Sequence, residues 1–295
     1  MVAGWAGRSV EGGAQTDTAM TDHQGRSGDC RDPAEAIPRL TLVCGHQRSG
    51  TSILRRVLST HPHVRITREL HAFGRLGTEW PIYLRGLRWS WWSRDFVDLG
   101  RKPRWRRALL SAWFVAGYGS HVISRFHKRV DISSIRSALH RAFPEAIVVG
   151  DKDPDYIFQL DRLADLGEVK CIVIYRDGRD VVQSALVEAH TRWKGDPLAA
   201  ETDTPAKAAG RWAKAVACQE RNASRILAVR YEEFVTQPAG VLARLGEYLG
   251  VDPGEFHRDL VRPSSIGKYR HSLTVDDLMM IESIAGDALR RLGYL

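Results

Sequence analysis

Residues 42–62 read LVCGHQRSGTSILRRVLSTHP. An apolar run closes at Gly45, a glycine-spaced turn extends to Gly50, and a helical period follows through Ile53, Leu54, Val57 and Leu58. A strand, a tight loop and a helix in that order aim free backbone N–H groups and the positive end of the helix dipole at one point, the outline of a phosphate-binding loop. The usual GxxxxGK[ST] pattern has a lysine after its second glycine, but here Gly50 is followed by Thr51 and Ser52. In triphosphate enzymes that lysine neutralises the β- and γ-phosphates and the hydroxyl beside it holds Mg²⁺. Its absence argues against a triphosphate. Arg48 offers a planar fork to a less highly charged group, and Ser49, Thr51 and Ser52 add hydroxyl donors. A strand-to-helix turn with no ligand is the plainer alternative for these residues alone.

Short runs rich in β-branched residues alternate with helical periods along the chain, which predicts parallel βαβ units. Nearly continuous apolar runs at 39–44, 146–149, 170–175 and 225–229 predict strands buried on both faces. Helices are expected at 51–60, 154–166, 179–190 and 205–221. A further helix should end at Gly250 after Thr236, and Thr274 with Asp277 predicts a capping box for the last one. The fold class is therefore α/β, a three-layer fold of the phosphate-loop kind with a central parallel sheet flanked by helices.

A second stretch, VKCIVIYRDGRDVVQSAL (169–186), ends a strand at Arg176 and places Ser184 two turns into the next helix. A guanidinium and a hydroxyl so spaced can converge on one phosphate. Taken alone, RDGRD is an ordinary surface turn.

Together, GHQRSGTSILRRVLSTHP and VIYRDGRDVVQSAL resemble the motifs of sulfotransferases that use 3′-phosphoadenosine 5′-phosphosulfate, PAPS. The resemblance extends over most of residues 39–275 and is similar to the bacterial members and to the tyrosylprotein, Golgi-type branch. It implies that Gly45, Gln47, Arg48, Ser49, Gly50, Thr51 and Ser52 cradle the 5′-phosphosulfate, and that Arg176 and Ser184 grip the 3′-phosphate. HPHVRITRELHAF (61–73) resembles the segment that carries a glutamate base, which falls on Glu69, with His61 and His71 nearby as alternatives. GDKDPDY (150–156) is similar to a stretch carrying a catalytic lysine, here Lys152. VRYEEFVTQP (229–238) resembles a segment whose tyrosine, here Tyr231, lies against adenine. SSIGKYRHSLT (264–274) is similar to a loop closing over the nucleotide, which makes Lys268 and Arg270 candidates for the 3′-phosphate. The implied catalytic set is Glu69, Lys152 and Arg48, with adenosine 3′,5′-bisphosphate as the product and no metal. The chain departs from that branch at Asp151, where the branch has Asn, and at Arg68, where its eukaryotic members have an acid.

The remaining features bound the function. With 295 residues, 43% hydrophobic and 26% charged, the chain has the composition of a globular protein and the length for one large α/β domain. Residues 1–38 carry no sustained apolar period and predict a disordered tail, followed by one domain over 39–295. With no basic start and apolar core there, a secretory leader is not expected and the protein should be cytoplasmic. Cys30, Cys44, Cys171 and Cys218 show no metal spacing and predict reduced thiols. The net charge of +8 is concentrated between Arg85 and Arg129, where eleven Lys or Arg face only Asp95 and Asp98. That segment lies in an expected helical insertion at about 80–141 with six tryptophans. It reads as an acceptor pocket, a membrane-surface contact for lipid-linked substrates, or simply a cap core. The acceptor stays open among small molecule, carbohydrate, lipid and peptide, and nothing in the residues sets an oligomeric state. Two other readings compete. A phosphate-loop kinase would use the acid that ends AIVVGDKD, and a nucleic-acid module would use the basic aromatic segment but leave both nucleotide motifs idle; no nucleic acid is expected.

Overall fold

The computed structural model describes residues 37–77, 79, 116, 117, 120, 124, 129–263 and 265–295. Cys30, nearly all of the expected tail and most of the expected insertion, with all six of its tryptophans, lie outside the described residues.

Five parallel strands form one sheet: β1 (Arg39–Cys44), β2 (Val64–Arg68), β3 (Val148–Lys152), β4 (Val169–Tyr175) and β5 (Ile226–Arg230). Their order is β2-β3-β1-β4-β5, which puts β1 at the centre and its carboxyl end at the point where the chain order reverses. Crevices at such points are where open α/β sheets take their ligands.

The described helices are α1 (Thr51–Leu58), α2 (Ile132–Ala142), α3 (Leu160–Ala164), α4 (Gly178–His190), α5 (Pro197–Ala200), α6 (Pro205–Arg221), α7 (Tyr231–Thr236), α8 (Pro238–Leu249) and α9 (Val275–Arg291). Alternation along β1 sends Leu40, Leu42 and Cys44 to one face, where they pack with Ile135 and Leu139 of α2 and Leu160 of α3. Val43 points to the other face, against Leu54 and Val57 of α1 and Val241 and Leu245 of α8. Helices α4, α6 and α9 pack together through Val181, Trp212 and Ile281. This is the expected layering, with helices on both faces of a parallel sheet.

Local signals set several boundaries. Thr204 caps α6 with Pro205 at its first position, and Thr274 and Asp277 form the expected reciprocal box at the start of α9. Helix α8 ends at Gly250, which takes the left-handed conformation (φ 69°). Thr236 does not cap it; its hydroxyl instead donates to Glu232 O at 2.7 Å.

Three expectations need correction. Strand β3 does not stop at Val149: the ladder continues as Leu42 pairs with Asp151 and Val43 with Lys152. The apolar run ends early because the last strand positions carry buried polar side chains that find partners. Strand β2, with its short VRITR sequence on the sheet edge, was not among the expected strands. The helix expected at 154–166 is a 3-10 segment (Pro154–Gln159) followed by the single turn of α3.

Cys44, Cys171 and Cys218 are free thiols. No helix among the described residues is long and apolar enough to cross a membrane.

Candidate functional site

The loop from Gly45 to Gly50 leaves the end of β1 and turns directly into α1. Gly45 has φ 145°, and a Cβ there would stand 2.1 Å from Ile174 O, so the loop passes hard against β4. Gly50 has φ 103°, and a Cβ there would meet the Tyr231 ring at 2.6 Å. Both glycines are thus fixed by close approach as well as by backbone conformation.

Arg48, Glu69 and His71 are the non-glycine residues of positive φ among the described residues (72°, 54° and 55°). Each such conformation costs about 1–3 kcal/mol and clusters where a fold holds side chains for function.

Three residues expected to act on the donor meet around Arg48. Its Nε donates to Ser184 Oγ at 2.8 Å, and its carbonyl accepts from Arg176 Nη1 at 3.2 Å. Arg48 Nη1 also pairs with Glu188 Oε1 at 3.1 Å, so the Arg48 guanidinium is bonded to α4. Arg176 is buried, its guanidinium 4.8 Å from the Tyr231 ring centre and 3.2 Å from Asp180 Oδ2. Trp212, fully buried, donates to Arg176 O at 3.2 Å and fixes the end of β4.

Two buried donors in this cradle have no hydrogen-bond partner: Ser49 Oγ and Arg176 Nε. An orphaned buried donor costs about 1–3 kcal/mol, a deficit that an anionic ligand removes. The residues therefore fit a phosphate-bearing ligand.

The Ser265–Arg270 segment lies over the same place. Arg176 Nη2 donates to Ser265 O, while Asp180 accepts from Gly267 N at 2.8 Å and Tyr269 N at 3.1 Å. Lys268 and Arg270 sit on the 3-10 turn Lys268–His271 and are exposed.

On the other side of β1, Lys152 is completely buried and donates from Nζ to Glu69 Oε1 at 2.5 Å. The Glu69 amide donates in turn to Lys152 O at 2.7 Å. Burial pushes the Lys152 pKa down, and the Glu69 carboxylate only partly offsets this. Behind the pair, Asp151 accepts from Thr67 Oγ1, Leu70 N and Tyr156 OH at 2.7, 3.0 and 2.6 Å. Those bonds clamp the end of β2 to β3 and so set the position of Glu69. Asp151 is fully buried and committed to the scaffold.

His71 Nδ1 lies 2.5 Å from Asp153 Oδ2. Burial opposes its charge, but the Asp153 hydrogen bond and charge win and raise its pKa. His46 is buried and pushed down to about 4, hence neutral, and His61 is buried behind Phe256. Gln47 turns to Asp155, its Nε2 donating to Oδ1 at 2.6 Å.

A cleft of about 720 Å³ joins the two sides, lined among others by Arg48, Thr51, Ser52, Glu69 and Lys152. Tyr231, Arg176 and Ser184 lie toward β4 and β5, at the loop's far side. Asp180, Glu188 and the arginines at 55, 56 and 68 were not singled out from sequence as site residues. Asp180 had a signal, since it stands four residues after Arg176 with the opposite charge.

Residues 41–255 match the family described as the sulfotransferase family. Among solved structures, the sulfotransferase domain from the Synechococcus PCC 7002 olefin synthase is 21% identical with a TM-score of 0.54, the match covering 86% of this chain and 98% of that one. The sulfotransferase domain from the curacin biosynthetic pathway is 18% identical with a TM-score of 0.57, covering 88% and 99%. A sulfotransferase from Mycobacterium avium is 13% identical with a TM-score of 0.50, covering 86% and 77%. At these identities the likeness is one of fold.

Proposed function

The chain belongs to the sulfotransferase family and transfers a sulfuryl group, and from that premise we propose that PAPS is its donor and a hydroxyl or phenol its acceptor. The observation that carries the reading is the Lys152–Glu69 pair, held 2.5 Å apart in the cleft that the loop residues also line. When bound, the donor supplies an activated sulfuryl group on a phosphate leaving group.

In this reading the amides of residues 48–52, with Ser49, Thr51 and Ser52, hold the phosphosulfate end, and Arg176 and Ser184 hold the 3′-phosphate. Tyr231, packed on Gly50, walls the adenine side. Lys268 and Arg270 reach the 3′-phosphate from the segment that Asp180 tethers. Glu69 accepts the acceptor's proton on a carboxylate oxygen, and its bond to Lys152 holds that oxygen in place. Lys152, shielded from solvent, and Arg48 present N–H groups to negative charge developing beside them. Such preorganised donors are worth about 3 kcal/mol each. The absence of a loop lysine fits a ligand with no γ-phosphate.

Calorimetric titration with adenosine 3′,5′-bisphosphate, beside ATP with and without Mg²⁺, tests the donor. Binding of the bisphosphate without metal is expected. Preference for Mg²⁺-dependent ATP would overturn the donor assignment and the roles of Glu69 and Lys152 with it.

A further inference from the structure

The donor residues lie on the loop after β1 and on β4, α4 and α7, so an acceptor must approach Glu69 from the β3–β2 side of the cleft. That side is strongly cationic. Arg55 and Arg56 of α1 and Arg68, the last residue of β2, line it together with Lys152, against the carboxylate of Glu69. Arg68 stands directly across from Lys152 in the β2–β3 register, and its neighbour in sequence is Glu69. The Arg55 guanidinium reaches the β2 backbone, with Nη1 3.4 Å from Ile66 O.

Both Arg55 and Arg68 are close enough to Lys152 to disfavour its charge. Cations gathered on one wall repel each other, and the repulsion grows as water is excluded. Among the described residues Arg68 forms no ion pair, and its Nε is buried without a hydrogen-bond partner. A guanidinium fork in that state matches a planar carboxylate or a phosphate or sulfate oxygen pair.

Resting on the donor reading above, we propose that the acceptor carries an oxyanion beside its accepting hydroxyl, and that Arg68 binds this group with support from Arg55 and Arg56. Because Arg68 is adjacent to Glu69, the anion and the hydroxyl belong to one small unit, such as a single acidic or phosphorylated sugar ring or a hydroxylated aromatic acid. A neutral phenol or alcohol leaves Arg68 unpaired and binds weakly. Arg68 is thus a specificity-determining residue for the acceptor.

The test uses the full-length protein saturated with adenosine 3′,5′-bisphosphate and titrated at constant ionic strength with inorganic phosphate, inorganic sulfate and benzoate. At least one should bind, about tenfold or more weaker to Arg68→Gln, with Arg68→Lys intermediate. Bisphosphate affinity should differ by less than about twofold among the three proteins, a change too small for a lost charge-assisted bond. The anion preferred separates phosphate, sulfate and carboxylate as the source. Failure of all three to bind, or equal binding to wild type and Arg68→Gln, overturns the proposal. If the bisphosphate itself does not bind, the donor reading falls, and the same titrations on the protein alone still decide the role of Arg68.

Discussion

Arg48 Nε donates to Ser184 Oγ at 2.8 Å, joining the loop after β1 to helix α4 across 136 residues of sequence. With Arg176 bonded to the Arg48 carbonyl, the three form one unit, and their effects on ligand binding should be coupled. Arg176→Ala should weaken adenosine 3′,5′-bisphosphate by about 10- to 100-fold, the worth of a charge-assisted bond. Ser184→Ala should cost about 2- to 10-fold. The double variant should lose less than the product of the two, as read by calorimetry; simple multiplication of the losses would mean that the residues act independently.

Glu69 and Lys152 should affect turnover without affecting the nucleotide. Glu69→Gln and Lys152→Met should each lower kcat by about 10²–10⁴-fold while bisphosphate affinity holds. Removing only the carboxylate also strands a buried ammonium, an imbalance worth about 3–5 kcal/mol at full burial. Glu69 is 23% exposed, so the lower end of that range applies. Thermal unfolding should therefore show Glu69→Gln less stable than Glu69→Gln/Lys152→Met, although both are inactive. An equally stable pair would mean that Lys152 has another counter-charge.

Lys152 also sets a pH dependence. Its pKa in the folded protein is depressed by burial below the unfolded value of 10.5. Between the two values the unfolded chain binds more protons, so this residue's contribution makes stability rise with pH across that window. Below the folded pKa the full cost of burying the charge is present. Lys152→Met should abolish this rise in Tm, measured on the alkaline side up to pH 10.5. Turnover that needs a charged Lys152 should fall off at a pH below 10.5.

The layering and the loop were legible because burial on both faces leaves continuous apolar runs, and because a tight strand-to-helix turn leaves spaced glycines. Strand β1 and helix α6 fall where their sequences place them for that reason. The end of β3 was hidden by the chemistry that makes it matter. Asp151 and Lys152 interrupt the apolar pattern; they are strand residues through their ladder pairs with β1 and β2, and the bonds of Asp151 with Tyr156 and Thr67 and of Lys152 with Glu69 satisfy their buried side chains. Glu69 and Lys152 came from resemblance, since neither has a local signal and 83 residues separate them. That Arg48 would turn to Ser184 and Glu188, rather than stay within its own loop, was likewise beyond sequence spacing.

Asp180, which is 1% exposed, links Arg176 to the segment bearing Lys268 and Arg270. Its two carboxylate oxygens accept the amides of Gly267 and Tyr269, and one also faces Arg176 Nη2. Asp180→Asn keeps the shape but removes the charge and turns one acceptor into a donor aimed at N–H groups. The segment should come loose at Gly267, and Arg176 should lose its fixed counter-charge. Limited proteolysis should then cut near residues 265–271 faster than in the wild type. Bisphosphate affinity should fall by about tenfold, as for one charge-assisted contact, and the ligand should restore less protection than it gives the wild type. Were the tether only structural, proteolysis would accelerate while affinity stayed level. A fall in both, at a residue with no proposed contact to the ligand, would identify Asp180 as the group that positions Arg176 and the closing segment together.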